Sequence, residues 1–159
     1  NESFEVALLI FSLEHLKYPR EILLECQRVL KRKGLLIILA PNLEFPLAWP
    51  NALRHKNILY RGFFAILRLG DYIKRALGIF SFRTLRGNIT SEKKIYERKD
   101  DDLWHLVSSW EVIKFLEKTD FTLKEFWREE SPRGWRKFVT FLPTLRWYGV
   151  TLAAVFEKR

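Results

Sequence analysis

Hydrophobic and polar positions fall into their clearest order between Phe4 and Asn42. Phe4–Phe11 is a nearly unbroken apolar run and predicts a strand. A polar break follows at Ser12–His15, and Pro19 then sits where the first turn of a helix can spare an N–H. Ile22, Leu23, Cys26, Val29 and Leu30 recur at helical spacing and make one apolar face. Arg28, Lys31, Arg32 and Lys33 put cations at the predicted C-terminal end of that helix, where its dipole favours them. Gly34 permits the turn out of the helix. Leu35–Ala40 predicts a second strand, ended by Pro41–Asn42. Two near-continuous apolar runs joined by a helix predict parallel strands buried on both faces, with the helix as their crossover.

Beyond Asn42 the pattern changes. Pro46 and Pro50 break any early helix. From about Asn57 to Phe80 the spacing is helical and apolar. Arg61, Arg68 and Arg75 lie on one narrow stripe, which predicts a helix packed on the sheet with its arginines on the wet side. Gly62, Gly70 and Gly78 argue against one uninterrupted helix. Residues 83–103 read as polar loop, ending in the acidic run Asp100–Asp102. Ser108 or Ser109 caps a further helix, with Glu111 near its start and Val112, Ile113, Phe115 and Leu116 on its apolar face. Phe121–Trp127 alternates imperfectly as a strand. Residues 131–146 are aromatic and basic, a short helix broken at Pro143. Tyr148–Phe156 predicts a last strand, apolar enough over Val150–Val155 to be central. No internal repeat is present. These elements predict one α/β layer carrying a helical insertion over residues 43–104.

Composition narrows the setting. With 159 residues the chain is long enough for one domain with a sizeable core. A formal net charge of +9 favours an anionic partner, whether nucleic acid, a membrane surface or an acidic substrate; an ordinary basic surface explains it equally. The single cysteine, Cys26, excludes a disulfide framework and a CxxC-type metal site, and reads as a small buried apolar residue. It fits a reducing, cytoplasmic location. Asn1–Ser3 does not read as a signal peptide, and no apolar run approaches the length of a membrane span. The chain has no methionine and enters a strand almost at once, so its first residues are expected to be the stub of a longer domain.

Phe4–Asn42 resembles the second half of the class I S-adenosylmethionine-dependent methyltransferases. The matching pieces are FEV, SLEHL (Ser12–Leu16), RVLKRKG (Arg28–Gly34) and a strand ending in Pro41–Asn42. Downstream, Trp104–Phe121 resembles the family's His, Ser/Thr-initiated helix and Gly-Phe opening of the sixth strand. Val150–Lys158 would be its seventh, antiparallel strand. The resemblance implies the C-terminal half of a Rossmann-like methyltransferase sheet, strands four to seven, in a single partial domain. Residues 43–104 would be a substrate lid. Glu5 replaces the usual Asp, Arg32–Lys33–Gly34 replaces Pro-Gly-Gly, and Asp120 replaces the Gly before Phe121. The larger departure is that no G-x-G occurs anywhere, and the acid that ends the family's second strand has no counterpart. Those features grip the cofactor's backbone-facing side and its ribose. The chain alone is therefore expected to bind cofactor poorly and to be inactive, and the Phe4–Phe11 strand to present an unpaired edge. That edge would meet the missing N-terminal half of the domain, or a second copy.

The resemblance implies S-adenosylmethionine as cofactor and places Ile10, Phe11 and Ser12 along it; plain strand-end packing is the alternative. His15 would orient or deprotonate an acceptor, with Glu14 as its partner, and the alternative there is a helix-entry motif fixing the loop. Pro41, Asn42, Trp104 and His105 are the candidate acceptor contacts. Asp101 and His105 are the only pair that invites a metal reading, and no second cluster supports one. His55 is lone and reads as solvated. The acceptor would be a small molecule, a lipid or a carrier-linked glycan, and residues 57–80 also suit a membrane surface. Trp127, Arg128, Arg133, Trp135, Arg136, Lys137, Arg146 and Trp147 interleave bases with aromatics, as single-strand nucleic-acid binders do. No RNA-binding signature accompanies them, so an RNA methyltransferase is less favoured. A non-catalytic interaction module with a degenerate methyltransferase fold is the reading from a different class.

Overall fold

The computed structural model describes residues 2–43, 57–84, 105–127 and 151–159. Pro46, Pro50, His55, Asp100–Asp102, Trp104 and the aromatic–basic segment between Trp127 and Tyr148 lie outside the described residues. The elements are β1 (Phe4–Ile10), α1 (Pro19–Val29), β2 (Leu30–Pro41), α2 (Ile58–Ala76), α3 (Ser109–Lys118), β3 (Phe121–Trp127) and β4 (Thr151–Lys158), with a short 3-10 turn at Leu13–His15.

The four strands form one sheet in the order β1-β2-β4-β3. β1 and β2 run parallel, joined by α1, while β4 is antiparallel to both β2 and β3. The last strand is thus antiparallel and central, as its apolar run predicts. The imperfect alternation of β3 has a physical cause: its register shifts between Leu123 and Glu125. One face of the sheet carries the core. Leu36, Ile38 and Ala40 sit in register with Phe156, Ala154 and Leu152, and all are fully buried. Leu23 of α1, Val112, Ile113 and Leu116 of α3, and Leu13 and Phe82 pack into the same cluster.

The other face departs from expectation. Val6, Leu8 and Ile10 of β1 are exposed, and they pair in register with Leu35, Ile37 and Leu39, which are only half buried. A strand buried on both faces needs a layer on each side. Among the described residues β1 has such cover on one face and a single strand neighbour, so it is an edge strand.

The passage from α1 to β2 is tighter than the sequence implies. The helix stops at Val29 and Leu30 already belongs to the strand, so Lys31, Arg32 and Lys33 open β2 rather than close α1. The left-handed residue there is Lys33, at φ 62°, not Gly34. Gly34 is required for a different reason. A Cβ at that position would lie 2.8 Å from the Lys31 carbonyl oxygen and 3.2 Å from that of Glu5. Asp120, just before β3, is also left-handed, at φ 74°. Lys33 and Asp120 both stand where the methyltransferase resemblance has glycine.

α2 is one uninterrupted helix of 19 residues. Gly62 and Gly70 lie inside it with open space where a Cβ would be, and Gly78, at φ 76°, follows its end. Asn57 caps the start, its Oδ1 accepting from the Tyr60 N–H at 2.8 Å. The side it presents inward reverses the expectation. Arg68 and Arg75 are buried with Asp71 and Phe64. Leu59, Phe63, Ile66, Ile73 and Leu77, at helical spacing, are exposed.

Two left-handed side-chain-bearing residues and one crowded glycine give a paired expectation. Lys33→Gly and Asp120→Gly should each raise stability by about 0.5–1 kcal/mol, since glycine enters the left-handed region without a Cβ penalty. Gly34→Ala should lower it by more than about 1 kcal/mol, because two backbone oxygens must move. Urea unfolding midpoints of the three variants check both signs.

Candidate functional site at the strand ends

In an open α/β sheet the carboxyl ends of parallel strands face ligand. In this chain those ends are Ile10–Ser12 and Pro41–Asn42. Phe11 is left-handed at φ 46°, and its N–H donates to the Leu39 carbonyl at 2.7 Å. A bulky residue in that region costs on the order of 1–3 kcal/mol and persists only where its surroundings impose it. Ile10 and Phe11 are each more than half exposed, at 53% and 54%. Ser12 precedes the 3-10 turn, and its carbonyl accepts from the His15 N–H at 3.0 Å. Leu13 anchors the turn in the core, and Glu14 is buried beside it. His15 remains one-third exposed, its Nε2 3.8 Å from Glu14 Oε1.

The stretch from His105 to Ser109 draws three separate parts of the chain together. The His105 N–H donates to the Glu14 carbonyl at 2.9 Å, and the Leu106 N–H to the Arg83 carbonyl at 2.9 Å. Val107 accepts from the Leu43 N–H at 2.9 Å. Asn42 Oδ1 accepts from the Ser109 N–H at 3.3 Å. Glu14, Asn42 and His105, chosen from sequence for separate reasons, are therefore neighbours in one wall. Pro41 ends β2 beside them, half buried. Trp104 lies outside the described residues.

His105 forms an isolated bridge with Thr84 rather than part of a helix, and its ring packs against Phe82 at 5.5 Å between centroids. It is fully buried. Nδ1 lies 3.2 Å from the Arg83 carbonyl oxygen. A carbonyl only accepts, so Nδ1 carries the proton and Nε2 presents a lone pair. Nε2 and the Ser109 hydroxyl have no hydrogen-bond partner among the described residues. Burial pushes the His105 imidazole down to about 4, against a smaller upward pull from the Arg83 carbonyl. A ring with that basicity is neutral at physiological pH and suits a hydrogen-bond acceptor better than a general base. Asp101 lies outside the described residues, and among those described no three His, Cys, Asp or Glu residues gather as metal ligands would. Cys26 is free and half buried against the core, where burial pushes its thiol up.

A second set of polar groups escaped the sequence reading. Beneath α2, Arg83 holds the Asp71 carboxylate through two nitrogens, Nη2 at 2.6 Å. Arg75 Nη1 donates to Ser108 Oγ at 2.8 Å, and its Nε to the Asp71 carbonyl at 3.3 Å. Arg68 donates to the Leu43 carbonyl. Burial lowers Arg68 to about 10, with Arg75 adding to the effect, so it stays cationic. Ser108 caps α3 as expected, accepting from the Glu111 N–H at 3.4 Å. Glu111 does not close the usual reciprocal capping box. Its Oε1 accepts from Ser81 N at 2.7 Å, Ser81 Oγ at 2.9 Å and Phe82 N at 3.2 Å. Arg68, Asp71, Arg75, Arg83, Ser108 and Glu111 line a small polar cleft between α2 and α3. The available signals were a lone acid in an arginine-rich helix and a Ser-x-x-Glu start.

Comparison with known proteins adds one finding at this point. Residues 1–38 match the family described as Methyltransferase domain, which supports a class I S-adenosylmethionine-dependent methyltransferase-like domain. The mixed sheet with its helices is consistent with a partial Rossmann-like methyltransferase fold. No curated protein matches the chain.

The depressed His105 pKa fixes a pH dependence. The unfolded imidazole takes up a proton near 6.5, but the folded one only near 4. Between those values the unfolded state holds more protons, so stability falls as pH drops from about 6.5 to 4. The loss attributable to this group is on the order of 3 kcal/mol. His105→Asn, whose amide can still donate to the Arg83 carbonyl, should flatten that slope relative to the parent chain. Urea unfolding at a series of pH values between 4 and 7 reads the difference.

Proposed function

We propose that the chain takes part in methyl transfer from S-adenosylmethionine, forming the wall of the site contributed by the ends of β1 and β2. The observation that carries this is the coincidence of the matched stretch, residues 1–38, with an open strand end at Ile10–Ser12. The cofactor, when bound, supplies an electrophilic methyl on a sulfonium. Ile10 and Phe11 present exposed apolar surface for its adenosine and methionine parts, and Ser12 a hydroxyl beside them. The partnerless His105 Nε2 and Ser109 Oγ are the kind of buried groups a ligand satisfies. The residues therefore fit one side of such a group. The other side needs a Gly-rich turn and a ribose-binding acid, and no G-x-G occurs in the sequence. The exposed edge of β1 is where a further strand carrying them would pair.

In this reading Glu14, Asn42 and His105 form the acceptor side of the site, with Pro41 beside them; Trp104, the remaining candidate acceptor contact, lies outside the described residues. His15 is the candidate for positioning the acceptor or taking its proton, being the accessible imidazole at the mouth. Within the 43–104 insertion, α2 acts as the cover over the acceptor side. The missing G-x-G also favours the contrary reading, a non-catalytic module that keeps half the fold.

Titration of the chain with S-adenosylhomocysteine, followed by backbone amide shifts, separates these readings. Weak, millimolar binding that moves Ile10, Phe11 and Ser12 is expected. Micromolar affinity would overturn the one-sided site. Saturating ligand that leaves all three amides in place would overturn the methyl-transfer role in favour of the interaction module.

A further inference from the structure

We infer that α2 is a membrane-surface helix, docking its outward apolar face on an anionic lipid interface. This goes beyond methyl transfer and does not depend on it. Leu59, Phe63, Ile66, Ile73 and Leu77 are 53–81% exposed and stack along one side of the helix, with Ile58, Leu69 and Ile79 flanking them. At 100° per residue the five stripe positions fall within an arc of roughly 80°, widened to roughly 140° by Ile58 and Leu69, and at 1.5 Å per residue the stripe is about 27 Å long. A continuous apolar surface of that extent marks a contact rather than a solvated face.

The orientation is not an accident of loose packing. The opposite face is fixed by Arg68 on the Leu43 carbonyl, Arg75 on Ser108 and Asp71 on Arg83. A helix that served only the core would bury Ile66 and expose Arg68; this one is held the other way round.

Charge selects the occupant. Between Asn57 and Thr84 there are five cations and one acid. That acid, Asp71, is buried and paired with Arg83. Lys74 is exposed at the margin of the apolar arc and Arg61 is half exposed. An apolar face bordered by Lys74, with no exposed acid between Asn57 and Thr84, on a chain of net charge +9, matches an acidic lipid surface, where apolar insertion and headgroup attraction add. No helix among the described residues is long and apolar enough to cross a membrane, so the helix lies along the surface.

Flotation of the whole chain with vesicles tests this, using phosphatidylcholine alone and an equimolar mixture with phosphatidylglycerol. The expected result is binding to the mixed vesicles about tenfold or more tighter than to phosphatidylcholine, weakened by salt. The triple substitution Phe63→Ser, Ile66→Ser, Ile73→Ser should reduce it about tenfold or more at unchanged circular dichroism and unfolding midpoint. Ile66→Asp alone should act in the same direction and guards against a folding defect in the triple variant. Three results would overturn the inference. The chain stays with the unbound fraction; the apolar-face variants float like the parent, leaving only nonspecific charge attraction; or the substitutions split a concentration-dependent dimer while vesicles go unbound, which assigns the face to a second copy.

Discussion

The pairing of β2 with a strand on each edge is the constraint from which the rest of the molecule follows. β2 accepts β1 in parallel on one side and β4 antiparallel on the other. Its inward residues Leu36, Ile38 and Ala40 are the fully buried floor on which α1 and α3 rest. The same strand ends at Pro41, which delivers Asn42 to the Ser109 amide and Leu43 to Val107. The candidate site and the core are thus two ends of one strand. A change that tilted β2 would move both.

On that floor the chain uses two kinds of adhesive. The sheet and α3 are held by apolar burial, which is non-directional. α2 is held by guanidinium and carboxylate hydrogen bonds, which are directional and strong when charged. Buried charge is expensive unless paired, and the pairs here are well made: Asp71 meets Arg83 through two nitrogens, and Glu111 satisfies three donors of the Ser81–Phe82 turn. Directional contacts can specify which side of a helix faces in even when hydrophobicity would choose the other. That is how an amphipathic helix comes to turn its apolar residues outward.

Much of the architecture was legible in the sequence because it rests on local pattern. Ser108 and Glu111 announced α3, and the broken alternation of Phe121–Trp127 announced a strand whose register indeed slips at Leu123–Glu125. Glycines absent from the expected turns became left-handed Lys33 and Asp120. What the sequence could not convey was partnership. The run Phe4–Ile10 is equally apolar whether two layers cover it or one. The arginine stripe of α2 is visible in the spacing, but periodicity gives an axis without saying which pole points inward. The groups that decide, Ser108 for Arg75 and Ser81 for Glu111, lie 33 and 30 residues away. The candidate site was legible in part for the same reason. Glu14 and His105 were each noticed, while the backbone bond that joins them belongs to the tertiary fold.

The place of β4 in the sheet has a consequence for how the domain is made. β1, α1 and β2 are contiguous and close their contacts over short distances. The strand that must lie against β2 comes from residues 151–158, after every other described element. During synthesis from the N-terminus, β2 therefore waits with one edge open while more than a hundred residues follow it, a span set by Pro41 and Thr151. Pairings of such long sequence separation form slowly, and an apolar strand with an open edge is a template for the wrong neighbour. The left-handed Lys33 and the cations Lys31, Arg32 and Lys33 at the start of β2 put a kink and charge at one end of that waiting edge, where they discourage another chain from adding to it.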